Sequence, residues 1–350
     1  MTRILTRRDL TALLDPAACL EALRDGFTRG DAAVPGQRIR TDLPFPGTAT
    51  ALVPGLLPGI DAYTVKVNAK FPAATPALRG VICLHSGHDG ELLALLDSAT
   101  VTAWRTGLAA ALGTHTLAAD PGGEAVVGVI GAGAQADLMV TGLRRLRRVT
   151  KLLVHDTDEP RAHAFAARHA GAPAHSAPDS AATPNAGGPA RPGAGAAHPG
   201  GLAVEVAGSA GEVAERAGIV LLATWSRAPL LRLADTRPGQ HLTSLGADEP
   251  GKCELAADVL EAALVAVDDR ELAAAMGALA AAGLPAEAAD ATLGEILRGE
   301  HPGRTDPEAR TVYAPVGLPW QDLALSWLAY QEAGRRGIGL EVDLLDTPTG

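Results

Sequence analysis

The chain has 350 residues, 47% of them apolar and 20% charged, with a formal net charge of −10. That length allows two domains that each bury a core, and the negative balance argues against nucleic acid or an anionic membrane as a partner. Cys19, Cys83 and Cys253 lie far apart, with neither CxxC spacing nor a paired histidine, so no metal site is expected; with no apolar leader and no membrane-length apolar run, a reduced cytoplasmic setting is expected.

Asp15 and Pro16 signal the first helix, an N-cap acceptor followed by a ring suited to the first helical position, with Leu20, Leu23 and Phe27 on one face. From Val34 to Asp97, short β-like runs (TALVP, AYTVKVNAKF, RGVICLH, ELLALLD) are separated by Pro and Gly, which predicts a meander or mixed sheet. A helix is predicted over SATVTAWRTGLAAALGTHTLA. It leads into AVVGVIGAGAQADLM, Ala125 to Met139, which reads as a buried strand, a glycine turn and a helix from Gln135 onward. Gly131 and Gly133 permit a sharp turn and close approach of a pyrophosphate, and Ala136 takes the third small position. The free N–H groups and positive dipole end of the helix favour phosphate.

The next strand, KLLVHD, ends in Asp156, an acceptor for adenosine ribose hydroxyls that would repel a 2′-phosphate; NAD(H) is therefore favoured over NADP(H). Strand and helix then alternate through LAVEVA, GEVAERA, IVLLATWS, HLTSLGAD and ALVAVDD, the rhythm of a doubly wound parallel sheet. The last helix, from QDLALSWLAYQEAGRRGIG, is amphipathic and is expected to return to the first domain. The predicted fold class is α/β. A Rossmann doubly wound parallel sheet, residues 118–314, is inserted into a mixed α+β substrate-binding and dimerisation domain made of residues 1–117 and 315–350. Segment 171–201 contains no side chain able to anchor a core. It is predicted to be a disordered loop at the sheet edge away from the cofactor, which makes His175 and His198 poor ligand candidates.

Nicotinamide chemistry needs further groups to hold the substrate and move protons. Three segments qualify. Lys66 lies among apolar residues of AYTVKVNAKFP, where it has either a solvated face shared with Lys70 or a buried anionic partner. Arg105 sits in the apolar helix around TAWRTG, either gripping a carboxylate with parallel hydrogen bonds or engaged in an internal salt bridge. Asp248 ends the strand in HLTSLGADEPGKCEL, with Lys252 four residues on; it points into the ligand crevice or caps a helix.

Together, KVNAKFP from Lys66, TAWRTG, VIGAGAQA, TWS from Thr224, GADEPGKCEL from Gly246 and VGLPWQD from Val316 resemble the ornithine cyclodeaminase/mu-crystallin family, over nearly the whole chain. The resemblance implies a homodimer whose first domains pair through their sheets, with an active site between the domains of each subunit and an amino or imino acid as the small-molecule partner. It implies Arg40, Lys66 and Arg105 as holders of the substrate carboxylate, with Arg38 a rival for Arg40 in QRIRTDLP. Asp248 would handle the substrate nitrogen as acid or base, with Lys66 beside it in the catalytic set. Ala134 and Gln135 would match the phosphate turn, Asp156 the ribose contact, Thr224 and Lys252 further cofactor contacts, and Val316 the closure of the pocket. Two departures stand out. Ala51 occupies the place of the glutamate that holds a distal amine in cyclodeaminases, and Pro315 replaces a serine facing the cofactor. The expected function is an NAD(P)(H)-dependent oxidoreductase, an amino-acid dehydrogenase or cyclic imine (ketimine) reductase that transfers hydride at Cα. The alternatives are an ornithine or lysine cyclodeaminase and a non-catalytic NAD(P)H-dependent binding protein.

Overall fold

A computed structural model of the chain describes residues 1–29, 37–44, 47–71, 73–74, 76–119, 125–171 and 201–344. Its first sheet has seven strands in the order Leu340–Val342, Thr2–Leu5, Leu92–Asp97, Leu78–Ser86, Ala62–Lys70, Thr48–Gly55 and Gln37–Asp42. Thr2–Leu5 and Leu92–Asp97 run parallel; the other pairs are antiparallel. Register decides which side chains can meet, because directly opposed residues share a face. Arg38 opposes Leu52, and Leu52 opposes Lys66, on one face. Ile39, Ala51, Val67 and Val81 form a cross-strand row on the other.

The second sheet has eight parallel strands in the order Ala291–Thr292, Leu264–Val267, Thr311–Tyr313, His241–Ser244, Ile219–Leu222, Ala125–Ile130, Val149–His155 and Ala203–Val206. Its central strands are almost continuously buried, as a parallel sheet covered on both faces requires. Winding runs outward in opposite directions from Ala125–Ile130 and Ile219–Leu222, so a ligand crevice opens at their C-terminal ends.

The twenty-residue helix Ser98–Leu117, capped by the Asp97 carboxylate, packs against strands of both sheets and against the helix Ala134–Leu146. It therefore ties the two sheets into one body. After Thr311–Tyr313 the chain leaves the parallel sheet, and the helix Pro319–Arg336 docks on the helix Pro16–Thr28 and on the mixed sheet. Strand Leu340–Val342 then closes the sheet edge beside Thr2–Leu5. The α/β architecture is the one expected, a Rossmann-type parallel sheet built between the two parts of a mixed α+β unit.

Residues 172–200, including His175 and His198, lie outside the described residues. Their stems abut, since a Cβ on Gly201 would lie 3.2 Å from the Gly171 Cα. Among the described residues, no helix is long and apolar enough to cross a membrane, and no cluster of His, Cys, Asp and Glu could hold a metal ion.

Candidate active site

A cavity of about 840 Å³ lies where the crevice of the parallel sheet meets the inner face of the mixed sheet, a volume in the range of ligand sites. Its nucleotide side is the glycine turn. Gly131 has φ +92, and a Cβ there would lie 2.6 Å from the Ala223 carbonyl oxygen, so only glycine fits. Gly133 begins the helix Ala134–Leu146 with no side-chain cap, nothing stands within 4 Å of the space a Cβ would take, and Gly133, Ala134 and Gln135 line the cavity. By contrast, the helices starting at Pro16, Ser98 and Glu159 are all capped by aspartates. An uncapped helix N-terminus facing open space fits a pyrophosphate.

Asp156 stands at the end of strand Val149–His155, as expected. Its Oδ2 accepts the Ala132 N–H at 2.8 Å and its Oδ1 accepts the Asp158 N–H at 2.9 Å, while its side chain is buried and absent from the cavity wall. The carboxylate pins the phosphate turn from below. Arg168, near the end of the helix Glu159–His169, also lines the cavity, and both Arg168 and His169 engage Asp137 in the first turn of the helix Ala134–Leu146, at 3.2 and 3.0 Å.

On the opposite wall Lys66 is 1% exposed and not on a solvated face. Its Nζ lies 2.6 Å from Oδ2 of Asp322, and Asp322 Oδ1 lies 3.3 Å from Nε of Arg105. Burial drives the Lys66 ammonium down to a pKa of about 8; Asp322 opposes that shift and Arg105 adds to it. Lys66 and Arg105 both line the cavity while sharing one buried counter-charge. The turn beyond them is fitted to Arg105. Gly317 has φ +96, and a Cβ there would lie 1.9 Å from Nη1 of Arg105. Asp268 holds this turn by accepting the N–H groups of Val316 and Gly317, at 2.9 and 2.5 Å.

Three sequence expectations change here. Arg38, not Arg40, lines the cavity; Arg40 is exposed and pairs with Asp42 at 3.0 Å. Ala51 belongs to the outer-face row with Ile39 and Val67, while Thr48, Thr50 and Leu52 face the cavity. A residue at position 51 therefore does not reach this cavity. Pro315 is likewise absent from the wall, whereas Val316 lines it as expected.

Between the two walls, Asp248 accepts from Lys252 Nζ at 2.5 Å. Burial works against the Lys252 charge, but Asp248, helped by Glu249, holds the ammonium above its ordinary range. Glu249, next in the chain, accepts from Lys70 Nζ at 2.7 Å, joining the parallel-sheet side to the mixed sheet across the cavity mouth. Thr224 lines the same wall.

The family model described as "Ornithine cyclodeaminase/mu-crystallin family" matches residues 2–179 and 194–336. The chain belongs to the ornithine cyclodeaminase/mu-crystallin family. Among solved structures of similar fold are an archaeal alanine dehydrogenase dimer with bound NAD (25% identity, TM-score 0.83, 98% of this chain and 99% of that one) and the Δ1-pyrroline-2-carboxylate reductase of Thermococcus litoralis in complex with NADH and L-proline (25% identity, TM-score 0.82, 97% and 100%). An L-lysine cyclodeaminase of Streptomyces rapamycinicus is 26% identical, over 99% of this chain and 97% of its own length. Within this ornithine cyclodeaminase/mu-crystallin chain, three buried acids, Asp268, Asp322 and Glu254, went unassigned by sequence reasoning, although the last two lie in the strings that carry the resemblance. Asp322 sits in VGLPWQD and Glu254 in GADEPGKCEL. The signal available for each was an acid inside an otherwise apolar or strand-like run, which needs a partner if buried.

Proposed function

We propose that the protein is a nicotinamide-dependent oxidoreductase acting at the Cα of an amino or imino acid. The observation that carries this reading is the facing arrangement of a cationic clamp, Arg38, Lys66 and Arg105, and a carboxylate, Asp248, across a cavity that adjoins an uncapped helix N-terminus. Gly133, Ala134 and Gln135 would hold the pyrophosphate of a nicotinamide dinucleotide, which when bound would supply or accept hydride at the substrate carbon. Lys66 and Arg105 take the carboxylate, and their buried tie to Asp322 fixes them before substrate arrives. Asp248 takes a proton from the substrate nitrogen as amine becomes imine and returns it in the reverse direction, with Lys252 as its standing counter-charge.

Support for dehydrogenase or reductase over cyclodeaminase comes from charge pairing. Among the described residues, Asp137, Asp248 and Glu249 are the carboxylates on the cavity wall, and each already has a cation. A second, distal ammonium would enter without a free partner. NAD(H) is favoured over NADP(H) because two carboxylates, Asp156 and Asp158, follow the end of Val149–His155, and both already engage the one neighbouring arginine, Arg161. A homodimer through the mixed sheets accords with the exposed Ile39 and Val67 on the outer face, 55% and 46% exposed.

The test is turnover. NADH should be consumed with pyrroline-2-carboxylate, piperideine-2-carboxylate or pyruvate plus ammonia, and Asp248→Asn should keep NADH affinity while losing turnover. Proline and ammonia formed from ornithine without net NADH would establish the cyclodeaminase instead.

A further inference from the structure

Glu254 is 1% exposed, and among the described residues no cation pairs with it. Its carboxylate is nonetheless fully engaged. Oε1 accepts the backbone N–H and the hydroxyl of Thr224, at 2.7 and 2.8 Å. Oε2 accepts the Ser244 hydroxyl and the Gly246 N–H, at 2.9 and 2.8 Å. Each oxygen thus takes one main-chain and one side-chain donor from a different crevice loop, the first following Ile219–Leu222 and the second at the end of His241–Ser244.

These two loops are packed without slack. A Cβ on Gly246 would lie 2.1 Å from the Thr224 carbonyl oxygen and 2.4 Å from Oε1 of Glu254, and one on Gly131 would lie 2.8 Å from Thr224 Cγ2. Contact therefore runs from the phosphate turn through Thr224 to the Gly246 backbone, two residues before Asp248. Burial raises the Glu254 carboxyl, and the donors from Thr224, Gly246 and Ser244 pull the other way. A protonated oxygen would set its O–H against a main-chain N–H on either side, so the two N–H contacts favour the anion while the two hydroxyls can turn to either form.

We propose that Glu254 is a positioning residue that fixes Thr224, on the cofactor wall, relative to Asp248, the proton-handling group. It touches neither cofactor nor substrate and does not line the cavity; it acts through the two loops it joins. The proposal rests on the oxidoreductase reading for its catalytic half only, since the cofactor wall is set whatever the substrate.

The experiment compares wild type, Glu254→Gln, Glu254→Asp and Ser244→Ala for thermal melting, for NADH affinity by energy transfer from protein tryptophan, and for kcat and KM with NADH and pyrroline-2-carboxylate or pyruvate plus ammonia. Glutamine keeps the shape but sets an NH2 donor against a main-chain N–H. With hydrogen bonds to a charged group at stake, Glu254→Gln is expected to weaken NADH by about tenfold and lower kcat by about a hundredfold. Its KM for the imino acid should change less than about threefold, because the clamp on the mixed sheet is untouched. Glu254→Asp keeps the charge but withdraws it from both loops, so it should lie between glutamine and wild type. Ser244→Ala removes one donor and should move both readouts the same way by a smaller factor. Unchanged NADH affinity and kcat in Glu254→Gln, or a loss confined to melting temperature, overturns the proposal. If Glu254→Gln does not fold, unchanged NADH affinity in Ser244→Ala overturns it. If wild type turns over no imino acid, the functional reading fails while the NADH comparison still decides the role of Glu254.

Discussion

Lys66 and Asp322 meet at 2.6 Å with each side chain 1% exposed, and the same aspartate reaches Arg105 at 3.3 Å. One buried anion thus serves two buried cations, and both cations face the cavity. Removing one member of such a buried set leaves charge uncompensated, at a cost of about 3–5 kcal/mol.

Asp322→Asn should therefore melt at lower temperature and lose at least about tenfold in kcat/KM, by the same arithmetic of buried charge. NADH affinity should hold, because Asp322 engages Lys66 and Arg105 and does not itself line the cavity. Thermal melting and substrate titration in parallel check this. A normal KM in a well-folded Asp322→Asn protein would show that the clamp orients itself without its counter-charge.

The pH dependence follows from Lys66, whose pKa is depressed from the ordinary lysine range to about 8. A depressed cation is a folding penalty, full below about 8 and relieved as pH rises toward the unfolded value. Binding has the opposite sense, because the charged form grips the carboxylate. Affinity for a carboxylate inhibitor with no basic nitrogen should fall as pH rises through about 8. Lys66→Arg should abolish that limb, since arginine does not titrate there. Asp322→Asn should move it to lower pH. A limb that persists in Lys66→Arg belongs to another group.

Arg38→Ala should lower kcat/KM by about tenfold or more, the scale of one charge-assisted hydrogen bond. Arg40→Ala, at an exposed residue paired with Asp42, should stay within about threefold of wild type, as a surface ion pair contributes little. Steady-state kinetics of the two variants check the assignment, and the reverse ranking would refute it.

Gly317→Ala places a methyl 1.9 Å from Nη1 of Arg105 at φ +96. Strain and displacement act together on the clamp, so KM should rise by about tenfold or more while NADH affinity is retained. Equal losses for cofactor and substrate would mean the whole crevice had shifted.

How much of this was legible beforehand depended on the range of the interaction. The phosphate turn was legible because Gly131, Gly133 and the following helix are contiguous, and strand–helix alternation announced the parallel sheet. Lys66 was ambiguous because its partner lies on the last helix, and no local pattern joins Ala62–Lys70 to Pro319–Arg336. Arg38 and Arg40 share a strand and a face parity, so period two could not separate them; only the depth of the wall does. Ala51 shows the converse, where one residue of register moves a position to the other side of the sheet. Asp156 was correctly placed at the strand end, but its oxygens are turned to Ala132 and Asp158, a rotamer choice that spacing does not encode.

The return of the chain to the mixed sheet also sets an order of assembly during synthesis. Lys66 and Arg105 emerge from the ribosome early, but the aspartate that neutralises them and the strand that closes the sheet edge, Leu340–Val342, emerge after the entire parallel sheet. The parallel sheet has all its strands in hand before the mixed unit can finish. A half-made chain therefore carries the strands of the parallel sheet beside two cations still waiting for a counter-charge that arrives only with the helix Pro319–Arg336.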